Sequence, residues 1–303
     1  MFPPGPIIRV GPREIHIKDS NYYDEIYTSN ARRREKDLNW VAQFDLEGTA
    51  FASITTESHR QRRAPLERFF SKQAITNMEP TIQKSVQQLS DRLRGAYQSQ
   101  QVVSLDAAFA GLTSDIIHQY GLGIDSGNLE QEDFNESVRD GINALFKMTH
   151  FLHFFPILQT IFNSLPLWAL QKMSPYAYAL TSQKTFIRHR VMDELHGQRT
   201  GKNPVIESLA GANVPSHLRG LERLTNEGFS MVVGGTETTA RSLSVGIYHL
   251  LSDDHIQAKL RKELRSVMPT PEPCPTWNQL EQLPYLVCLT PLSHSRLVNA
   301  EPG

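Results

Sequence analysis

Apolar residues recur at three-to-four spacing along most of this chain. Between residues 75 and 99, Ile82, Val86, Leu89 and Leu93 share one face while charged and amide side chains fill the other, predicting a long amphipathic helix. A second helix is expected from Asp106 to about Tyr120, ended by Gly121-Leu122-Gly123. A third covers 130–150 through Phe134, Val138, Ile142 and Leu145, and another covers 174–197. Ser252 is expected to cap a helix whose face is Ile256, Leu260, Leu264 and Val267, with Lys259 and Glu263 paired across one turn. Strand-like alternation is confined to the start. There Ile7-Ile8-Arg9-Val10 and Glu14-Ile15-His16-Ile17-Lys18 flank Gly11-Pro12 as a hairpin within residues 1–18, and Asp19-Ser20 then opens a helix through Tyr27. The pattern predicts a mainly α protein with a small N-terminal β region.

The stretch Gly228-Phe229-Ser230-Met231-Val232-Val233-Gly234-Gly235-Thr236-Glu237-Thr238-Thr239-Ala240 breaks the ordinary pattern. It lies inside a long apolar helix expected over 217–251, and the part from Thr225 to Leu251 alone would run ~40 Å. Each helix-interior glycine costs about 1 kcal/mol relative to alanine, and threonine is a mediocre helix former. Two accounts follow from the residues. The glycines admit a closely packed neighbouring helix, or they clear room for a flat ligand with Glu237, Thr238 and Thr239 beside a buried polar reaction. For Thr238 the alternative is a hydroxyl bonded to its own i−4 carbonyl.

Residues 151–170 are aromatic-rich, with Phe151, Phe154, Phe155, Phe162 and Trp168 punctuated by Pro156 and Pro166. A helix end followed by a packed loop is the preferred expectation there, and contact with a membrane is the alternative. Residues 198–204 form a polar Gly/Pro linker.

Composition narrows the class. The chain has 303 residues, 39% of them hydrophobic and 21% charged, with a net charge of −1, so nothing draws it globally to nucleic acid. Two cysteines, Cys274 and Cys288, do not make a disulfide framework and point to a reducing compartment. No secretory signal and no run of eighteen apolar residues occurs. A phosphate-binding loop, zinc motif, nucleophile elbow and dinucleotide fingerprint are all missing, so the common hydrolase, nucleotide and zinc chemistries have no support.

Gly234-Gly235-Thr236-Glu237-Thr238-Thr239 resembles the central helix of the cytochrome P-450 family of haem-thiolate monooxygenases, whose pattern is (Ala/Gly)-Gly-x-(Asp/Glu)-Thr-(Thr/Ser). His59-Arg60-Gln61-Arg62-Arg63 followed by Phe69-Phe70-Ser71 is similar to the helix in which Trp-x-x-x-Arg meets the haem propionates. Thr113-Ser114-Asp115-Ile116-Ile117 is similar to the fifth helix. Ser252 to Leu264 and Leu280 to Leu286 resemble the run after the central helix. The order covers most of residues 1–286. Its flavour is that of the fungal secondary-metabolism members, the trichodiene-oxygenase-like enzymes.

The resemblance implies a cytochrome P-450-like fold, haem as cofactor, and insertion of one oxygen atom into a hydrophobic substrate, a terpenoid on family grounds. It also implies electrons from an NADPH-dependent reductase. Thr238 would relay a proton to the activated oxygen and Glu237 would connect that relay to solvent. Gly234 and Gly235 would admit the porphyrin. Arg63 would pair with a propionate, with His59 donating in place of the usual tryptophan; a solvated basic helix face is the plainer account of Arg63. Arg60 and Arg62 would face an acidic redox partner or simply solvent.

After Leu286 the family expects Glu-x-x-Arg and then Phe-x-x-Gly-x-Arg-x-Cys-x-Gly. This chain instead reads Val287-Cys288-Leu289-Thr290-Pro291-Leu292 and ends at Gly303. The expectation is a cytochrome P-450-like domain over 1–287, truncated before its axial cysteine, with an off-pattern tail over 288–303. Such a chain would be inactive as written, and a haem-free helical remnant or binding protein is the alternative. The expected place is the cytoplasm or the cytosolic face of the endoplasmic reticulum, with no anchor in this chain.

Overall fold

A computed structural model describes residues 5–27, 34–197, 204–211, 213–270 and 274–289. A two-stranded antiparallel sheet, β1 (Ile7–Gly11) and β2 (Glu14–Ile17), pairs Ile7 with Ile17 and Arg9 with Ile15. Four helices follow it, α1 (Tyr23–Ile26), α2 (Leu38–Ala42), α3 (Thr56–Glu67) and the long α4 (Lys72–Gln98). Then come α5 (Leu105–Leu122), α6 (Glu136–Phe154), α7 (Pro156–Ser164), α8 (Leu167–Met173), α9 (Pro175–Leu195) and α10 (Pro204–Ala210). The last are α11 (Leu221–Leu251), α12 (Asp254–Leu264) and α13 (Trp277–Glu281). A further helical turn covers 284–289. The linker residues 198–203 lie outside the described residues, as does the tail from 290 onward.

α11 is the axis of the molecule, 31 residues long or about 46 Å. It starts at Leu221 and not at 217, because residues 216–218 form a separate 3-10 turn and Gly220 is extended as the N-cap. α5, α9 and α10 pack around its first half. Leu122, Ile187, Val191, Val205, Ile206, Leu209, Leu224, Phe229 and Val232 bury one apolar cluster there. A second cluster joins α4 to the other flank of α5 through Leu89, Ala107, Ala108, Leu112, Leu129 and Phe134.

Several expectations shift for local reasons. The helix expected from 130 starts at Glu136, because Phe134 and Asn135 both sit at positive φ (55° and 58°) and no helix can run through them. Asp253, not Ser252, caps α12; its Oδ1 accepts from His255 N (2.9 Å) and Ile256 N (3.1 Å), while Ser252 ends α11. Lys259 and Glu263 do not pair with each other. Lys259 lies 4.2 Å from the centre of the Tyr285 ring. The two Glu263 oxygens accept from Tyr285 N and Leu286 N, both at 2.9 Å, capping the 284–289 turn. The aromatic stretch 151–170 is not a packed loop. It is the end of α6, then α7 and the start of α8, with Phe151, Phe154, Phe155, Ile157 and Trp168 all exposed, Phe154 by 72%.

Candidate functional site

The two glycines of α11 do different things. A Cβ on Gly235 would stand 2.8 Å from Cγ1 and 3.2 Å from Cβ of Ile117, so this position is where α5 presses against α11. A Cβ on Gly234 would meet nothing within 4 Å, and the residue is exposed. Thr238 lies one turn further on the same face and is also exposed. Gly235 therefore sits in a helix–helix contact, whereas Gly234 faces open space. As a cofactor contact, Gly235 is displaced by Ile117.

The Thr238 hydroxyl donates to the Gly234 carbonyl at 2.5 Å, the i−4 arrangement, so its proton is spent on the backbone while its lone pairs stay free. Glu237 is half-buried. Burial raises its carboxyl above the ordinary range, offset by the charges of Arg139 and Arg241, and its Oε2 has no hydrogen-bond partner. Thr236 is buried against α5, where its carbonyl accepts from the Thr113 hydroxyl at 3.0 Å.

His59 and Arg63 are exposed, four residues apart on α3. The Arg63 guanidinium lies 5.6 Å from the Phe70 ring centre and makes no hydrogen bond or ion pair among the described residues. The spacing of α3 did not reveal a further cation here, Lys36. Its Nζ donates to the Phe51 carbonyl and lies 5.4 Å from that ring, close enough for its charge to act on His59. Twenty-three positions separate Lys36 from His59 in sequence, so no helical period links them. Arg62 turns inward, with Nη1 donating to Ser53 Oγ at 3.0 Å, which removes it from any docking face. Arg60 stays outside, 3.8 Å from Glu57.

The imidazole of His59 is held below its ordinary pKa by burial first, then by Lys36 and Arg63, against an upward pull from Glu67. A depressed folded value means the ring resists protonation in the fold. Its stabilising contribution is complete above the usual histidine range and is lost as pH falls through it. Lys36→Ala should raise the His59 titration midpoint, followed by NMR. An unchanged or lowered midpoint would place Lys36 away from this cluster.

A second polar group lies two turns before Gly234. Glu227 is buried, its Oε2 3.6 Å from Arg223 Nη2, and its carboxyl accepts from Ala50 N at 3.1 Å. Burial pushes it upward against the Ala50 hydrogen bond and the charges of Arg223, Arg62 and Arg63. Polar residues at 223, 226 and 227 inside an apolar helix were the available signal for it.

Whether these residues fit a haem can be judged from the groove itself. Gly234 leaves open space, Thr238 and Glu237 edge it with a hydroxyl and an unpartnered carboxylate oxygen, and Arg63 is a cation with no ion pair among the described residues, one turn from the His59 imidazole. This set suits a flat, two-carboxylate ligand. A thiolate is another matter. Cys274 and Cys288 are exposed, on a segment tied to α4 by Trp277 N donating to Glu79 (2.6 Å) and to α12 by Glu263. Among the described residues no group of three or more His, Cys, Asp or Glu could hold a metal ion.

A long central helix with an open glycine, a threonine and an acid on one face is what a helical haem-protein scaffold would need here. The comparisons agree with it. The family model Cytochrome P-450 matches residues 4–288, and the chain belongs to that family. Conidiogenone synthase PchP450 from Penicillium rubens is 38% identical over 284 residues, which is 93% of this chain and 57% of that protein. Cytochrome P-450 monooxygenase TRI4 from Fusarium sporotrichioides is 36% identical over 93% of this chain and 55% of its own length. The chain thus spans little more than half of the curated relatives it matches. A crystal structure of a cytochrome P450DA heme domain superposes with a TM-score of 0.68 at 18% identity, over 92% of this chain and 59% of that one.

Proposed function

We propose that this chain forms the oxygen-side half of a haem monooxygenase site acting on a hydrophobic substrate of fungal secondary metabolism. The observation that carries the reading is the open face at Gly234, with Thr238 one turn away and Glu237 half-buried beside it. Named monooxygenases among the relatives support it. When bound, haem supplies the activation of dioxygen. His59, Arg63 and Lys36 would hold its two carboxylates by charge-assisted contacts. Thr238 Oγ1 accepts or passes a proton at the groove, and releasing its bond to the Gly234 carbonyl frees that proton for use. Glu237, less acidic than an exposed carboxyl, is suited to resupply it. No thiolate comes from Cys274 or Cys288 in this reading, so oxygenase activity requires one that they do not supply.

Electrons would come from an NADPH-dependent reductase, met on the side where Arg60 is exposed. The exposed aromatic surface of α6, α7 and α8 would rest on a lipid headgroup layer at the cytosolic face of the endoplasmic reticulum. Among the described residues no helix is long and apolar enough to cross a membrane.

Haemin titration followed in the Soret region tests the site. The chain should bind haemin without a thiolate-type carbon monoxide band, and Arg63→Ala should weaken binding by about tenfold, the scale of one charge-assisted contact. Binding that ignores Arg63 and His59 would remove the carboxylate-holding role, and a thiolate-type band would show that one of the two cysteines reaches the iron.

A further inference from the structure

A chain of polar side chains crosses from the irregular stretch 128–135 through α5 to α9, and its middle member is a histidine. Asn135 Nδ2 donates to Asn128 Oδ1 at 2.7 Å, and Asn128 Nδ2 donates to Ser114 Oγ at 3.1 Å. Ser114 Oγ lies 3.3 Å from His118 Nδ1, and the Ser114 carbonyl oxygen lies 2.8 Å from the same nitrogen. On the far side of the ring, Gln183 Nε2 of α9 lies 2.5 Å from His118 Nε2. Ser114, His118 and Asn128 are all buried, His118 to 1% exposure. Ile187 and Val191 of α9 supply the apolar part of the contact, in the cluster that holds Leu122 of α5.

These partners fix the protonation state of the ring. A carbonyl only accepts, so Nδ1 carries the hydrogen and Nε2 keeps a lone pair that accepts from the Gln183 amide. Burial holds the imidazole below its ordinary pKa, against upward pulls from the Ser114 carbonyl and from Asp115. Asp115 is the one charge that acts on it. α9, α10 and α11 bring none, and α9 meets the ring with the uncharged Gln183. A depressed folded value means that the stabilising contribution is complete above the usual histidine range and is lost as pH falls through it.

We propose that His118 is a proton-sensitive joint between α5 and α9: the neutral ring closes the chain to Gln183, and a proton taken from solvent at Nε2 opens it. Once Nε2 is protonated, two donors face each other, and the lone pair that accepted from Gln183 is gone. The ring is too enclosed to be hydrated in place, so α9 must draw back from α5 for the new charge to reach water. α9 packs on α6 and α8, which carry much of the exposed aromatic surface. The joint therefore sets how firmly that surface is held to the α5–α11 core. No part of it depends on the groove or on haem.

Hydrogen exchange with mass spectrometry on the intact chain, at about pH 5.5 and about pH 7.5 and corrected for intrinsic amide rates, tests it. Amides of 183–191 should open about tenfold more at the lower pH, the gain of a histidine of ordinary pKa near 6.5 that protonates only in the open form. Peptides from the middle of α4 should open equally at both. His118→Gln has no proton to take and should lose the difference. Gln183→Glu offers the protonated ring an acceptor, so it should raise the His118 midpoint seen by NMR and reverse the difference, α9 then opening more at the higher pH. If His118→Gln fails to fold, Gln183→Glu decides alone. Equal opening of 183–191 in the parent at both pH values, as when Gln183 merely turns its amide, would overturn the joint. So would a difference that survives His118→Gln, since another group would then be its source.

Discussion

Gly235→Ala is expected to destabilise the protein by about 1–3 kcal/mol, the usual cost of one methyl forced into a filled interface. Gly234→Ala, one residue earlier in the same helix, is expected to stabilise it by roughly 0.5–1 kcal/mol, the gain in helix propensity where no contact opposes it. Urea midpoints of the two variants are the measurement. The asymmetry comes from Ile117. Its Cγ1 and Cβ would lie 2.8 and 3.2 Å from the new methyl, and the Cβ cannot be moved by changing a rotamer, so α5 itself must shift. That shift would strain the Thr113 bond to the Thr236 carbonyl as well. Gly228→Ala belongs with Gly235, since its methyl would stand 3.1 Å from Ile187 and Leu122, both fully buried. Equal effects at 234 and 235 would sink the division of labour between groove and packing.

The glycine pair shows what a sequence can and cannot carry here. Two poor helix formers beside four hydroxyl or acid side chains stand out because they oppose local propensity, and such opposition marks function. Which glycine packs and which opens the groove depends on the rotation of α11 about its axis relative to α5, and no period within one helix encodes that. The same limit hid Lys36, whose charge acts on His59 from 23 positions away in sequence. It also hid Glu227, whose partner Ala50 is 177 positions away. Boundaries failed for a different reason. The start of α6 is set by Phe134 and Asn135 adopting positive φ, which ordinary L-residues resist and which their neighbours impose. Lys259 and Glu263 have an ideal helical spacing, yet each meets a better partner at Tyr285 and Leu286, because the turn at 284 needs its amides capped.

The imposing neighbours of that irregular stretch give the other large effect. Asp115→Ala is expected to cost on the order of 3 kcal/mol or more, because its carboxylate is the acceptor for four donors that would lose it together. Oδ1 takes Ser126 Oγ at 2.6 Å, Asn128 Nδ2 at 2.7 Å and Asn128 N at 2.9 Å, while Oδ2 takes Leu129 N at 2.8 Å. Two of these are backbone amides in a tight turn with no helix to satisfy them. Leu129, fully buried in the cluster between α4 and α5, hangs from this arrangement. From the other side Arg92 of α4 donates to the carbonyls of Leu129 (2.6 Å), Gln131 (2.5 Å) and Glu132 (3.1 Å) and lies 3.9 Å from the Phe134 ring centre. Asp115→Asn should recover part of the loss, since one oxygen survives while the new amide faces a donor. A urea midpoint within about 0.5 kcal/mol of the parent for Asp115→Ala would show that the turn holds without it. The consequence reaches the groove, because Asp115 stands two residues, about half a turn, from both Thr113 and Ile117, the α5 residues that contact α11 at Thr236 and Gly235. If α5 is seated by Asp115 on one side and by Gly235 on the other, Asp115→Ala and Gly235→Ala should cost less together than the sum of their separate effects.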